Sequence, residues 1–297
     1  MLLAGGAAST GGSAWAAAAP RLVPAVTART YIFWANYGPG GSGRTISRAD
    51  LNGTHISRRF ITGADGPLGV AVHDGSVYWS NPGLFAVCQG SAIGRAAVGG
   101  THVKQRFIGG VTCPQNIVIS GRYIYWASRD TGNSIGRAEV NGTHVDSSFI
   151  TRVDGPFGVT VAGGYIYWGN WGQNMDGVSI GRARLNGTHV NDSFITGAAS
   201  PTGVVVSGPY IYWSNWATGT IGRARVNGTH VDQRFIAGAS GPLGLAVHGD
   251  HIYWCNWGSG EGTGRSIGRA NLDGKFVDQR FITGAAAPAG ITIATIK

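Results

Sequence analysis

Charged residues, cysteines and long apolar runs are all scarce in this chain of 297 residues. Lys, Arg, Asp and Glu together make up 12% of the sequence, about half the share of an ordinary globular protein. So low a charge content fits sheets that stack face to face. No stretch of about 18 or more consistently apolar residues occurs, so the sequence predicts no transmembrane segment.

Residues that could build a reactive site are also sparse. Three cysteines, with no Cys-x-x-Cys pair and no neighbouring pair of histidines, make a weak case for zinc. Only 14 residues are acidic, and no Ser-His-Asp or Cys-His arrangement stands out. No motif that reads DNA or RNA accompanies the net charge of +9. The sequence therefore predicts no metal, no cofactor and no specific nucleic-acid partner.

One phrase of sequence recurs six times, and glycine, with 51 residues, supplies many of its turns. Each copy has an aromatic strand ending in Trp, then Ile-x-Arg-Ala, an Asn-Gly-like pair, Phe-Ile and a Pro. The Trp residues, 41 to 47 positions apart, are Trp34, Trp79, Trp126, Trp168, Trp213 and Trp254. A repeat of this period made of short strands and tight turns predicts the blades of a β-propeller.

Each copy contains four predicted strands, A to D. Strand A follows the Pro as a short apolar run, such as Gly69–Val72 or Gly244–Val247, which suits burial on both faces. Strand B ends in the Trp, strand C is the Ile-Gly-Arg-Ala run, and strand D ends in Phe-Ile. The pair between strands C and D predicts a two-residue type I′ turn, in which both central residues take φ > 0. The pairs are Asn52-Gly53, Gly99-Gly100, Asn141-Gly142, Asn186-Gly187, Asn227-Gly228 and Asp273-Gly274.

The two ends of the chain predict how the ring closes. Tyr31 begins a B strand that no A strand precedes, and the chain ends on an A strand at Gly290–Ala294. The C-terminal strand should therefore complete the first blade, which protects sheet edges that would otherwise be exposed. We predict an all-β fold, a six-bladed β-propeller with four strands per blade, formed by residues 29–297.

Residues 1–28 lie outside the repeat and are rich in Ala, Gly and Ser. The segment Ala16–Pro20 resembles the small-residue cleavage region of a secretory signal, although no basic segment precedes it. Two interpretations stay open, a truncated secretory signal or a disordered leader.

Two of the three cysteines are placed to meet. Cys88 lies in the B–C loop of the second blade, and Cys113 lies in the connection leading to strand A of the third. Because strands alternate in direction, B–C loops and D–A connections emerge on the same face, so we predict a Cys88–Cys113 disulfide. Such a bond favours an extracellular, cell-surface or periplasmic protein. Cys255, inside a B strand, is expected to be a small buried thiol.

Loop length identifies the face that we expect to carry function. From one blade to the next, only the distance between the strand B Trp and the strand C Ile changes, from 8 to 14 residues. Variable loops on a rigid scaffold are where binding sites usually lie. The B–C loops, together with the D–A connections on the same side, are therefore the predicted functional face.

That face carries an arc of aromatic residues, each three positions after its strand B Trp. The arc consists of Tyr37, Trp171, Trp216 and Trp257. They belong to blades 1, 4, 5 and 6, which are contiguous once the ring closes. We predict that the arc binds sugar rings or a partner's side chains. The alternative is packing between blades at the top of the sheets.

Two polar positions also repeat, and each has a functional and an architectural interpretation. An Asn follows the Trp by two positions in five blades, either to contact a ligand or to close strand B onto its neighbour. An Arg in strand C could form a basic ring for an anionic polymer, or pack its stem between blades. These arginines are Arg48, Arg95, Arg137, Arg182, Arg223 and Arg269.

The blade phrase resembles the YWTD repeats of the low-density-lipoprotein receptor class B family. The resemblance covers about residues 31–294, with phrases such as Tyr210–Asn215, Ile221–Ala224 and Asn227-Gly228. It implies a six-bladed propeller that is a non-catalytic extracellular module and binds protein partners through one face. The family's Thr-Asp after Tyr-Trp is here a small residue followed by Asn, or Ala-Ser in the third blade, so the receptor role is not carried over.

The competing prediction is a metal-dependent enzyme, because gluconolactonase-like and virginiamycin-B-lyase-like propellers look similar in outline. Such enzymes hold a divalent metal with oxygen or nitrogen ligands at the channel mouth. Near the strand A entrances only Asp65 and Asp154 are acidic, and they lie on different blades. We therefore predict a non-enzymatic, monomeric binding or scaffold protein that recognises a protein or a glycan through its B–C loop face.

Overall fold

The computed structural model describes residues 27–83, 88–129, 132–172, 174–258 and 262–296. They form six antiparallel sheets of four strands, arranged as the blades of a propeller. The predicted six-bladed β-propeller is confirmed. Apart from residues 27 and 28, the predicted leader lies outside the described residues. None of the described helices is long and apolar enough to span a membrane.

The strands of each blade follow the order predicted from the repeat. Blade 1 comprises β1 (Arg29–Asn36), β2 (Thr45–Asp50), β3 (Ser57–Thr62) and, as its innermost strand, β24 (Pro288–Ile296). Blade 2 comprises β4 (Val70–His73), β5 (Ser76–Asn81), β6 (Ala92–Ala97) and β7 (Lys104–Ile108). Blade 3 comprises β8 (Pro114–Ser120), β9 (Tyr123–Ser128), β10 (Ser134–Glu139) and β11 (Asp146–Thr151).

The second half of the ring repeats the pattern. Blade 4 comprises β12 (Pro156–Ala162), β13 (Tyr165–Asn170), β14 (Ser179–Arg184) and β15 (Asn191–Thr196). Blade 5 comprises β16 (Pro201–Ser207), β17 (Tyr210–Asn215), β18 (Thr220–Arg225) and β19 (Asp232–Ala237). Blade 6 comprises β20 (Pro242–His248), β21 (His251–Asn256), β22 (Ser266–Asn271) and β23 (Asp278–Thr283). A 3-10 turn, Pro39–Gly41, interrupts the B–C loop of blade 1.

The ring closes between its two ends, as predicted. Strand β24 pairs antiparallel with β1, with Tyr31 opposite Ala294 and Trp34 opposite Ile291. Neighbouring A strands contact one another around the central channel. Closure gives blade 1 its fourth strand, and it ties the first and last blades into the same ring.

The six strand B tryptophans form the core between blades, and all are fully buried. Trp254 of blade 6, for example, packs against Tyr212, Ile221 and Ile236 of blade 5. In blades 2 to 6 the indole lies over a strand C glycine, and an added Cβ there, as at Gly222, would overlap the ring. The repeated Gly before Arg is therefore required by close packing beneath the Trp.

The prediction of two-residue type I′ turns is wrong. In blade 1, Gly53 N–H donates to Asp50 O (2.9 Å) and Asp50 N–H donates to Thr54 O (2.9 Å). Only the glycine takes a positive φ, 83°, while Asn52 does not. The Asn52 side chain instead accepts from the Thr54 backbone N–H (3.1 Å). This is a three-residue turn with a left-handed glycine. Blade 2 forms the same turn without an Asn, with Gly100 N–H donating to Ala97 O (2.8 Å).

The contacts of the repeated strand C arginines support their architectural interpretation. In blade 5 the guanidinium of Arg223 lies 4.7 Å from the ring centre of Tyr210 and 3.9 Å from that of Phe235. Tyr210 lies on strand B and Phe235 on strand D of the same sheet. The charge is thus held between two aromatic faces of its own blade, where cation–π attraction stabilises it.

Candidate binding face at the mouth of the channel

The aromatic arc forms one continuous chain of ring contacts at the channel mouth. Strand B of each blade ends at this face, and the arc residue follows it directly. Ring centres are 6.5 Å apart for Tyr37 and Trp257, 6.3 Å for Trp257 and Trp216, and 5.9 Å for Trp216 and Trp171. The structure therefore brings together all four predicted ligand-binding residues.

The arc borders an apolar pocket of about 300 Å³. Leu68, Phe157 and Leu243, at the entrances of three A strands, line it together with Tyr37, Trp171 and Trp257. Phe157 meets Trp171 edge-on, with ring centres 4.8 Å apart. Met175, from the B–C loop of blade 4, also lines the pocket. Such a concave, largely apolar site can exclude water from an apolar group that enters it.

The four aromatic residues are not equally accessible. Tyr37 and Trp171 are 7% and 6% exposed, whereas Trp216 and Trp257 are half-buried. The indole N–H groups of Trp171, Trp216 and Trp257 are buried and make no hydrogen bond within the described structure. Tyr37, Trp171 and Trp257 thus both pack between blades and line the pocket. Trp216 packs against this cluster without lining the pocket, and Trp216 and Trp257 are the more accessible of the four.

Arg129 also belongs to this face, although it is not among the residues predicted from the sequence. It occupies in blade 3 the position that the arc residues occupy in blades 1, 4, 5 and 6, and it is 4% exposed. Its guanidinium lies 4.3 Å from the ring centre of Trp171, which extends the arc by a cation–π contact. Alignment of the blades on their Trp residues would have revealed it. In blade 2 the same position is Pro82.

Cys88 and Cys113 are joined by a disulfide, as predicted, with Cα atoms 5.1 Å apart. The bond ties the B–C loop of blade 2 to the connection that enters blade 3. Cys255 is fully buried as expected, and burial raises the pKa of its thiol well above the usual range. A thiol held neutral in this way is not a candidate nucleophile.

The repeated asparagines hold the D–A connections in place. Asn215 Oδ1 accepts from Ala199 N–H (2.9 Å), and its Nδ2 donates to Gln233 O (2.9 Å) on strand D. The bond from the connection recurs at Asn36, Asn81 and Asn256. The architectural interpretation of these residues is therefore the one that their contacts support.

Blade 4 departs from this arrangement because Asp192 replaces the strand D glutamine. Its carboxylate accepts from Trp168 Nε1–H (2.8 Å) and from Asp154 N–H (3.1 Å). Desolvation, Asp192 and Asp176 together raise the pKa of Asp154 above its ordinary value. The carboxylate of Asp65, the other acidic residue noted from the sequence, pairs with Arg44 (3.5 Å). Across the described residues, no group of three His, Cys, Asp or Glu side chains is arranged to hold a metal ion.

Comparison with known proteins connects this geometry to propellers of several kinds. None of the curated proteins matches the chain. A structure titled as a nidogen/laminin complex superposes with a TM-score of 0.71 and 20% identity, over 89% of this chain and 98% of the other. A streptogramin B lyase follows with a TM-score of 0.51 and 17% identity, over 71% and 67% of the two chains. The calcium-binding protein regucalcin from Agrobacterium tumefaciens gives 0.55 and 15%, over 74% and 75%.

These likenesses establish the propeller fold alone, because the identities are low. The model of the low-density lipoprotein receptor repeat class B matches residues 210–248, which run from strand B of blade 5 to strand A of blade 6. That segment holds the phrase on which the resemblance was based. Blade 5 of this six-bladed propeller thus carries a low-density lipoprotein receptor class B repeat, and the resemblance drawn from the sequence is confirmed there.

Proposed function

We propose that this chain is a non-enzymatic, exported binding propeller that recognises a protein or a glycan through its B–C loop face. The observation that carries the proposal is the convergence of four blades on one apolar pocket at the channel mouth. The Cys88–Cys113 disulfide supports an oxidising compartment outside the cytosol. The family of the repeat in blade 5 adds support for a binding role.

The pocket favours an apolar group as the part of the ligand that enters it. Its lining consists of aromatic and aliphatic side chains, and around it lie buried indole N–H groups that have no acceptor within the described structure. An aromatic or branched aliphatic side chain, or the apolar face of a sugar ring, would displace water there.

The test is selection of ligands from a peptide library and a glycan array, followed by affinity measurement on variants. We expect Trp216→Ala and Trp257→Ala each to weaken the selected ligand at least about tenfold, since half-buried aromatic anchors dominate binding energy. Trp171→Ala is a poor test because this side chain is 6% exposed and supports Phe157. Trp257→Leu, which preserves apolar packing, covers the case in which an alanine variant unfolds.

Phe276→Ala is the matched control. Phe276 is an aromatic residue with 81% exposure, in the C–D turn of blade 6 on the opposite face. It should leave ligand affinity unchanged. If the Trp216 and Trp257 variants bind the ligand as tightly as the wild type, the ligand binds somewhere other than the pocket.

The enzyme alternative has its own test. Calorimetric titration with Mg²⁺, Ca²⁺ and Mn²⁺ after chelation measures any divalent metal site directly. A saturable site that Asp154→Asn abolishes would favour a metal-dependent enzyme. Titrations with no saturable heat would reject that alternative and leave the binding proposal.

A further inference from the structure

A second groove, of about 450 Å³, lies on blade 6 beside the aromatic arc. We call it the arginine groove. Its lining includes Ser240, Thr263, Arg265, Arg280 and Thr283. The residues come from the connection that enters blade 6, from the end of its B–C loop and from its outer strand β23. Gly264 of the groove donates its backbone N–H to Trp257 O (2.6 Å), so groove and arc share one loop.

Blade 1 contains the same backbone arrangement and provides an internal comparison. Arg44 and Arg265 each precede strand C of their blade, and Arg44 forms an ion pair with Asp65 (3.5 Å). The position equivalent to Asp65 in blade 6 is Ala286, two residues before the Pro in both cases. Within the described part of the chain, Arg265 therefore has no carboxylate partner.

The equivalence is one of backbone bonding as well as of sequence. Gly66 N–H donates to Gly43 O (2.9 Å), and Ala287 N–H donates to Gly264 O (2.9 Å). The residue before each of these donors is Asp65 in blade 1 and Ala286 in blade 6. The two sites thus share this backbone bond, and blade 1 has a carboxylate where blade 6 has a methyl group.

Two more arginines increase the positive charge at this groove. Arg280 lies on its wall, and in the described structure no carboxylate pairs with it. Arg58 of blade 1 reaches across from the neighbouring blade and donates to Gly284 O (3.0 Å) and Thr283 O (3.2 Å). The strand D position of Arg58 is a glutamine in blades 2, 5 and 6. The junction of blades 6 and 1 therefore gathers more cationic charge than the equivalent junctions.

We propose that the arginine groove binds a carboxylate, supplied by an acidic segment of a protein partner. The equivalent Arg44 pairs with a carboxylate of this molecule, that of Asp65. A planar guanidinium also matches the two oxygens of a carboxylate. Because the groove adjoins Trp257, one partner can fill the pocket with an apolar side chain and the groove with an acidic one. The partner class rests on the proposed function, whereas the charge of the groove does not.

The test exchanges the partners of the two arginines. The probe is a hexaglutamate peptide, titrated at low ionic strength by calorimetry or fluorescence anisotropy. Arg265→Gln and Ala286→Asp should each lower the affinity for the peptide about tenfold. The first removes the cation, and the second supplies an internal carboxylate that competes for it. Ala286 is exposed, and Asp65 already occupies the equivalent backbone position, so the aspartate should be accommodated.

The reverse exchange provides the matched control. Asp65→Ala should raise the number of bound peptides from one to two, because it frees Arg44 in blade 1. Arg44→Gln should leave the first site unchanged. Glu261→Gln removes a carboxylate that the sequence places in the same loop, and should leave binding unchanged or tighter. Unchanged peptide affinity in both Arg265→Gln and Ala286→Asp would overturn the proposal.

Three further outcomes bear on this inference, and the last two separate it from the proposed function. Binding of dextran sulfate but not of hexaglutamate, sensitive to Arg265→Gln, would overturn the partner class. If the Trp216 and Trp257 variants lose the library-selected ligand while hexaglutamate binding never depends on Arg265, the inference fails and the proposed function stands. If hexaglutamate binding depends on Arg265 while the Trp variants keep their ligand, the inference stands and the proposed function fails.

Discussion

The two sides of the channel mouth are built from the same repeat but carry different residues after strand B. In blades 4, 5, 6 and 1 an aromatic residue follows strand B, and these residues form the arc of ring contacts from Trp171 to Tyr37. Blades 2 and 3 carry Pro82 and Arg129 at the same positions, and a disulfide joins them. We refer to these as the aromatic side and the disulfide side.

Beneath the mouth the difference disappears. On both sides a fully buried Trp packs against the preceding blade, and a strand C arginine lies close to an aromatic ring of its own blade. The repeat therefore determines the interior, where each residue is constrained by two neighbouring sheets. The ends of the strands, constrained on one side only, are where the blades differ and where a binding site can be built.

The largest effect should distinguish the interior from the mouth within one blade. Trp213→Ala should lower the free energy of unfolding by about 3–5 kcal/mol, because it empties a fully buried site. Trp216→Ala, three residues further on, should cost about 1–2 kcal/mol, since that side chain is half-buried. Urea unfolding measures both, and equal losses would remove the distinction between interior and mouth.

The next effect concerns the disulfide side. The Cys88–Cys113 bond spans 25 residues, and a chain-entropy argument gives it about 3.5 kcal/mol of stabilisation. Reduction should lower the melting temperature without affecting ligands of the aromatic pocket. A Cys255→Ala variant should respond to reductant as the wild type does, because Cys255 is outside the bond. Loss of pocket binding on reduction would show that the two sides are coupled.

A smaller effect is expected at the boundary between the sides, where Asp154 lies on the connection from blade 3 to blade 4. Its pKa is raised by desolvation, Asp192 and Asp176. A raised carboxyl pKa contributes stability below the unfolded value of about 4, which is lost as the pH rises through the folded pKa. Asp154→Asn should therefore flatten the plot of stability against pH above about pH 4. At pH 7 the variant should be more stable than the wild type by at most about 0.5 kcal/mol after solvent screening.

Asp176→Asn is the companion variant for this prediction. It removes one of the two neighbouring charges and should lower the pKa of Asp154 without abolishing its titration. Thermal melts between pH 3 and 7 compare the three proteins. A wild-type profile that rises with pH where the Asp154→Asn profile is flat would contradict the expected direction of the effect.

The smallest effect should come from the opposite face. Phe276, 81% exposed, occupies the turn position at which the other five blades carry a histidine. Phe276→His should change stability by less than about 0.5 kcal/mol, because the substitution removes no buried contact. Chemical unfolding provides the value, and a loss above about 1 kcal/mol would indicate that this turn is supported by contacts beyond the exposed ring.

Much of the fold could be predicted because its signals are local and repeat. Alternating aromatic strands, turn residues at constant offsets and a strand left over at each end were enough for six blades and their closure. The predicted turn type was wrong, because an Asn-Gly or Gly-Gly pair also fits a three-residue loop in which only the second residue takes a positive φ, as Gly53 and Gly100 do.

The site was partly predictable for the same reason. Register identified Tyr37, Trp171, Trp216 and Trp257 as equivalent positions on neighbouring blades. Arg129 occupies the same register but was missed, because the arc was recognised by its aromatic residues alone. Only the structure shows that its guanidinium lies 4.3 Å from the ring centre of Trp171 of the next blade. Whether Arg44 and Arg265 meet a carboxylate likewise depends on residues about 20 positions away, at Asp65 and Ala286.

The sequence alone determined the architecture of this protein, which strand ends lie on which face, and the disulfide, because all three follow from the period and direction of the strands. Only the tertiary structure decided which side chains meet across blades, how far each arc residue is buried, and which arginines pair with a carboxylate. Those outcomes depend on distances between residues from different blades, and the ring sets them only after it closes.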